Sequence, residues 1–96
     1  MVDALDLSAD RQAQNRYGYM YYVYAIKSLK RNYLYVGISD NVERRFSEHQ
    51  KGYNRTTKPY RPFVLIYTEE LVSRTEARAR EKYLKSGVGR EFLKSI

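Results

Sequence analysis

The chain lacks cysteine and tryptophan altogether, and its 96 residues include one histidine and two prolines. Without cysteine there is no disulfide framework and no thiolate zinc site, so a structural metal is not expected and a reducing, cytoplasmic compartment fits. No apolar run approaches the roughly 18 residues of a membrane span, and no basic region followed by a hydrophobic core opens the chain, so neither membrane nor export is expected. Carboxylates are the scarcer charge. There are 11 Asp and Glu against 18 Lys and Arg, a formal net charge of +7. Such an excess favours a polyanion through counterion release and long-range attraction, which makes nucleic acid the first partner to expect. Residues 1 to 19 hold three aspartates against two arginines, so the positive field belongs to the remainder.

Tyrosine, by contrast, is abundant at 11 residues. A chain of this length buries one modest core, so a single domain over 20–96 is expected, preceded by a polar, disordered extension over 1–19. Met20 to Lys27 is dense in Tyr, Val and Ile and reads as a strand with Tyr22, Tyr24 and Ile26 on one face. Tyr33 to Ile38 is a second strand, paired to the first as a hairpin that brings Tyr24 and Tyr35 near each other. Asp40 or Asn41 caps a helix that Gly52 stops, with Val42, Arg45, Phe46 and His49 on one face. Tyr53 to Pro62 reads as a mobile basic loop, and Phe63 to Thr68 as a third strand. Ser73 and Glu76 form a capping box for a helix to about Ser86, which Gly87 and Gly89 break before a last short helix from Arg90. The expected fold is α/β, a small three-stranded, mainly antiparallel sheet flanked by helices in the order β-β-α-β-α-α. In the long helix Ala77, Glu81, Leu84 and Val88 recur at i, i+4, i+7 and i+11, which puts a carboxylate in an apolar stripe; an i,i+4 pair with Lys85 is the plainer reading of Glu81.

This order of elements, with Tyr22-Val23-Tyr24, Tyr35-Val36-Gly37, Arg45, His49 and Glu81 in place, resembles the GIY-YIG nuclease superfamily. It is most similar to the small single-domain bacterial members related to the excision-repair nuclease module. The resemblance covers Met20 to about Ser95, with Tyr22 where the family usually has glycine. No asparagine follows the glutamate helix, where several nucleases of the superfamily carry one, and the backbone around Gly87 and Gly89 is the alternative holder of the phosphate.

The resemblance implies a hydrolase that cuts DNA phosphodiesters, with Tyr24, Tyr35, Arg45, His49 and Glu81 as catalytic residues and one Mg²⁺ or Mn²⁺ on Glu81. Arg45 would pair with the phosphate through its planar fork. Tyr24 is assigned the general-base role and Tyr35 a positioning role, with the reverse left open. Tyr24 would need Arg45 and the metal to favour its phenolate. His49 would contact the phosphate or relay a proton. Lys51, Arg55, Lys58 and Arg61, interleaved with Tyr53 and Tyr60, would track a nucleic-acid backbone while the rings stack on bases, and Lys82 and Lys85 add a second strip. Two other readings remain: a nucleic-acid-binding domain that cuts nothing, and a nuclease subunit that needs a protein partner. A monomer or weak dimer is expected.

Overall fold

The computed structural model describes residues 20–96, so the extension expected over 1–19 lies outside the described residues. The elements are β1 (Tyr21–Ser28), β2 (Leu34–Ser39), α1 (Val42–Lys51), a 3₁₀ turn (Lys58–Tyr60), β3 (Phe63–Leu71), α2 (Arg74–Lys85) and α3 (Gly87–Lys94). The three strands form one antiparallel sheet in the order β2-β1-β3, which leaves β2 at an edge. This is the expected α/β architecture.

Strand β1 is buried on both faces because it is central, and its alternation feeds two half-cores. Tyr22, Tyr24 and Ile26 meet Val42 and Phe46 of α1 and Phe63 on one face. Val23 and Ala25 meet Ala77 and Leu84 of α2 and Leu93 of α3 on the other. Helices therefore cover opposite faces, and the edge strand β2 runs between α1 and α2 at one rim. A register shift between Ala25 and Ile26 leaves Ile66 as the extra residue of β3, a bulge that keeps both Ile66 and Tyr67 on the α2 side.

Helix α1 starts where the sequence signals it. The Asn41 side chain accepts from the Arg44 amide at 3.0 Å, and Gly52 ends the helix with φ 81°, a left-handed value that glycine adopts without steric cost. Helix α2 is capped by Ser73, which accepts from the Glu76 amide. Three expectations need correction. β3 continues to Leu71 rather than ending at Thr68, because pairing with β1 carries on through Tyr21–Leu71. The segment 53–62 is organised rather than loose: the Asn54 side chain accepts from the amides of Thr56 and Thr57, and the 3₁₀ turn follows. The glycines after α2 do not break it; Ser86 ends α2 and caps α3, which begins at Gly87. Val88, placed in the α2 stripe by periodicity, consequently lies in another helix and is exposed.

Candidate active site

A cleft of about 570 Å³ opens along the β2 edge, between α1 and α2. Tyr35 and Gly37 of β2, Arg44 and Arg45 of α1, and Arg74, Arg78 and Glu81 of α2 all line it. The structure thus brings Tyr35, Arg45 and Glu81 to one concavity from three elements far apart in the chain. Tyr24 and His49 stand directly behind its wall.

The position of Tyr24 follows from the strand register. Tyr24 is the cross-strand partner of Gly37, so both point to the α1 side of the sheet. A Cβ added at Gly37 would stand 2.7 Å from the Tyr24 hydroxyl and 2.9 Å from Cζ. The ring therefore lies across the space that a Gly37 side chain would fill, which brings the phenol to the cleft wall. Tyr35 stands beside it, the ring centroids 6.3 Å apart. Gly37→Ala should accordingly destabilise the fold by about 1–3 kcal/mol through overpacking. It should also displace Tyr24. Urea titration measures the first effect; unchanged stability would mean that the rings yield freely.

His49 is fully buried, with 0 % of its surface exposed. Its Nε2 is 2.8 Å from the Tyr24 hydroxyl and its Nδ1 is 2.8 Å from Thr57 Oγ1. The Thr57 hydroxyl in turn donates to the Asn54 carbonyl over a long 3.5 Å. With the proton on Nδ1, donated to Thr57, Nε2 is free to accept from Tyr24. Burial, then the charge of Arg45, lowers the His49 pKa to about 4, with Glu48 opposing, so the ring is neutral at pH 7. Burial also raises the Tyr24 phenol well above its ordinary value, Tyr35 adding to the rise and Arg45 offsetting part of it. A standing phenolate at Tyr24, which the sequence reading invoked, is therefore disfavoured.

Arg45 reaches the cleft with its Nη1 donating to Glu48 Oε1 at 2.9 Å, a bond that orients the guanidinium. Glu81 keeps 16 % of its side chain exposed, bonded by Lys85 at 3.0 Å and with Arg78 at 3.8 Å. The plain i,i+4 pair and the cleft-lining position thus coexist. Among the described residues no group of three or more His, Cys, Asp or Glu is clustered to hold a metal ion. A hydrated divalent ion needs only one or two protein carboxylates, however, and Glu81 is a carboxylate that lines the cleft.

The remaining expected residues are dispersed. Lys82 and Lys85 line a depression that shares Arg78 and Glu81 with the cleft. Lys58 and Arg61 line a separate one, while Lys51 and Arg55 are exposed outside both. Tyr60 is stacked on Tyr33 with centroids 3.8 Å apart, so one of its faces is taken, and Arg31 lies 5.7 Å from its centroid, whereas Tyr53 is exposed. The Gly89 amide is capped by Ser86 rather than free for a phosphate. His49, having no exposed surface, meets no phosphate in the cleft.

Sequence reasoning missed Arg44, Arg74, Arg78 and Thr57. Arg74 and Arg78 are i,i+4 neighbours with Glu81 three residues on, a spacing that lies beside the Ala77–Glu81–Leu84 stripe and could have signalled them. Arg44 lies off the face of Val42, Arg45, Phe46 and His49, and its side chain is 56 % exposed while still lining the cleft. For Thr57 the sequence carries no signal that separates it from Thr56.

A family model described as the GIY-YIG catalytic domain matches residues 20–92. A UPF0213 protein of Staphylococcus haemolyticus is 42% identical over 77 residues, 79% of this chain and 93% of the relative. UPF0213 proteins of Limosilactobacillus reuteri and Natronomonas pharaonis are 36% and 39% identical, over 79% and 69% of this chain and 81% and 78% of their own lengths. No solved structure matches the chain significantly. Among the described residues no helix is long and apolar enough to cross a membrane.

Proposed function

Because the chain belongs to the GIY-YIG catalytic domain family, a nuclease superfamily, we propose that it is a metal-dependent endonuclease that hydrolyses DNA phosphodiester bonds. The observation that carries this reading is the convergence of Tyr35, Arg45 and Glu81 on one cleft, with the Tyr24 hydroxyl arriving over Gly37. Phosphodiester hydrolysis needs a water stripped of its proton, a phosphate held in line, and charge to stabilise the transition state.

Each need has a candidate group. Arg45, pre-oriented by Glu48, pairs with the scissile phosphate, and Arg44, Arg74 and Arg78 hold the flanking backbone. Lys82 and Lys85 extend that strip. Tyr35 positions the attacking water from the cleft wall. The water proton passes to the Tyr24 oxygen as Tyr24 hands its own proton to His49 Nε2; the water oxygen bonds to phosphorus, and the bond to the leaving oxygen breaks. This relay needs no standing phenolate; the imidazolium it forms on His49 is opposed by the same burial and by Arg45, so it exists only in passing during the transfer. Glu81 is the residue that would hold Mg²⁺ or Mn²⁺. When bound, the ion supplies positive charge for the phosphate and leaving oxygen.

The cleft offers arginines, which suit phosphates, so a preference for DNA shape over base sequence is expected. The test is cleavage of a labelled panel of duplex, branched and single-stranded DNA and RNA, with Mg²⁺ or Mn²⁺ against EDTA. Cutting that disappears on chelation supports the proposal and names the preferred shape. Tight, salt-sensitive binding with no turnover under any of these conditions would replace it with a nucleic-acid-binding role.

A further inference from the structure

A second basic site lies apart from the cleft, and its construction differs from that of an ordinary solvated surface. Residues 20–39 and 49–68 together contain seven lysines and arginines and no aspartate or glutamate. The fold gathers part of both stretches at the β1–β2 turn, where Lys30, Lys58 and Arg61 line a depression of about 430 Å³ with no carboxylate in its wall. None of these three forms an ion pair among the described residues, whereas Arg44, Arg45 and Arg78 of the cleft each do.

The depression is also held in shape. Ser28 Oγ donates to the Tyr60 carbonyl at 2.7 Å while accepting from the amides of Lys30 and Arg31, which ties the hairpin turn to the 3₁₀ turn. The Leu29 amide donates to the Pro62 carbonyl at 2.9 Å. Gln50, in the wall, both donates to and accepts from the Phe63 backbone. The Arg61 Nε donates to the Lys58 carbonyl at 3.0 Å, and its Nη1 lies 2.8 Å from where a Cβ at Gly52 would stand, so the guanidinium is folded over that glycine. Holding three like charges together without a counter-charge costs free energy. A polyanion at the depression removes that cost.

We propose that the Lys30–Lys58–Arg61 depression binds a backbone phosphate of the same nucleic acid whose scissile phosphate enters the cleft, so that the substrate is a polynucleotide running well past the cut. This rests on the nuclease reading. The depression sits at the turn that joins β1 to β2, and the cleft runs along β2 from Tyr35 to Asp40, its far end up to about 17 Å away along a six-residue strand. At about 3.4 Å of duplex rise per phosphate of one strand, the far end is up to about five nucleotides away.

The experiment uses Glu81→Gln protein in EDTA, which binds without cutting, and follows a labelled DNA duplex by anisotropy across a KCl series. The combined Lys30→Ala, Lys58→Ala and Arg61→Ala variant should weaken binding about tenfold or more and reduce the slope of log affinity against log salt by about 1 to 3, at about 0.9 per phosphate contact. A charge-preserving Lys30→Arg, Lys58→Arg variant should retain both, which separates charge from folding. An unchanged slope in the alanine variant would overturn the proposal, as would a depression that engages anionic phospholipid vesicles but not duplex. If the wild type cuts nothing in Mg²⁺ or Mn²⁺ yet the slope still falls, the nuclease reading fails and the phosphate site stands. Normal cutting with an unchanged slope is the opposite case.

Discussion

Glu81→Gln is expected to lower metal-dependent cleavage by about 10²–10³-fold or more while leaving the protein folded. The two effects separate because the carboxylate has two very different neighbourhoods. Away from the cleft it meets Lys85, whose side chain is 51% exposed, and exposed pairs of this kind contribute about 0–1 kcal/mol. Toward the cleft it is the carboxylate that α2 contributes beside four arginines. A metal ion that neutralises transition-state charge contributes several kcal/mol, and each 1.36 kcal/mol is a factor of ten in rate. Glutamine keeps the shape and the hydrogen-bonding oxygen but loses the charge that holds a hard cation. Cleavage rate and urea midpoint, measured on the same preparation, decide the matter. Equal cutting by Glu81→Gln and wild type would remove Glu81 from the site; a collapsed midpoint would make it structural.

Much of the fold was legible because its signals are local. Asn41 and Gly52 bracket α1, Ser73 caps α2, and the alternation of β1 marks the two faces that the helices cover. The errors arose where a tertiary partner decides. β3 outlasts its β-branched run because β1 continues to pair with it, and segment 53–62 is ordered because Thr57 is buried under His49, which no local pattern announces. In the candidate site, Tyr35, Arg45 and Glu81 were readable from their positions in elements of known period. The relation between Tyr24 and His49 was not. One residue lies in a strand and the other on a helix 25 positions later, and only packing brings phenol to imidazole. The clustering of Arg44, Arg74 and Arg78 was hidden for a related reason, since an exposed arginine on a helix looks the same whether it faces bulk water or a cleft.

Tyr24→Phe should lower cleavage by about 10²–10⁴-fold, the range that a positioned acid–base group contributes, and should exceed the loss from Tyr35→Phe. In the proposed relay the transferred protons would pass through the Tyr24–His49 pair, whereas Tyr35 would only position water. A larger loss from Tyr35→Phe would assign the base role to Tyr35, which lines the cleft directly. The same pair carries a pH signature that does not depend on activity. His49 has a folded pKa of about 4 against an ordinary value of 6.5, so between those two values the unfolded chain binds a proton that the folded chain does not. Stability therefore rises with pH across this window. It is fully present above about 6.5, and up to about 3 kcal/mol of it is lost as pH falls to about 4, at 1.36 kcal/mol per pKa unit. Thr57 tightens the effect by accepting from Nδ1, because a second proton on the ring would replace the acceptor at Nε2 with a donor facing the Tyr24 hydroxyl. Urea unfolding of wild type at pH 7 and at about pH 4.5 should show the loss, and His49→Gln should flatten it. A wild-type protein equally stable at both values would mean that His49 protonates in place. The neutral acceptor on which the relay depends would then be absent at low pH without any cost to the fold.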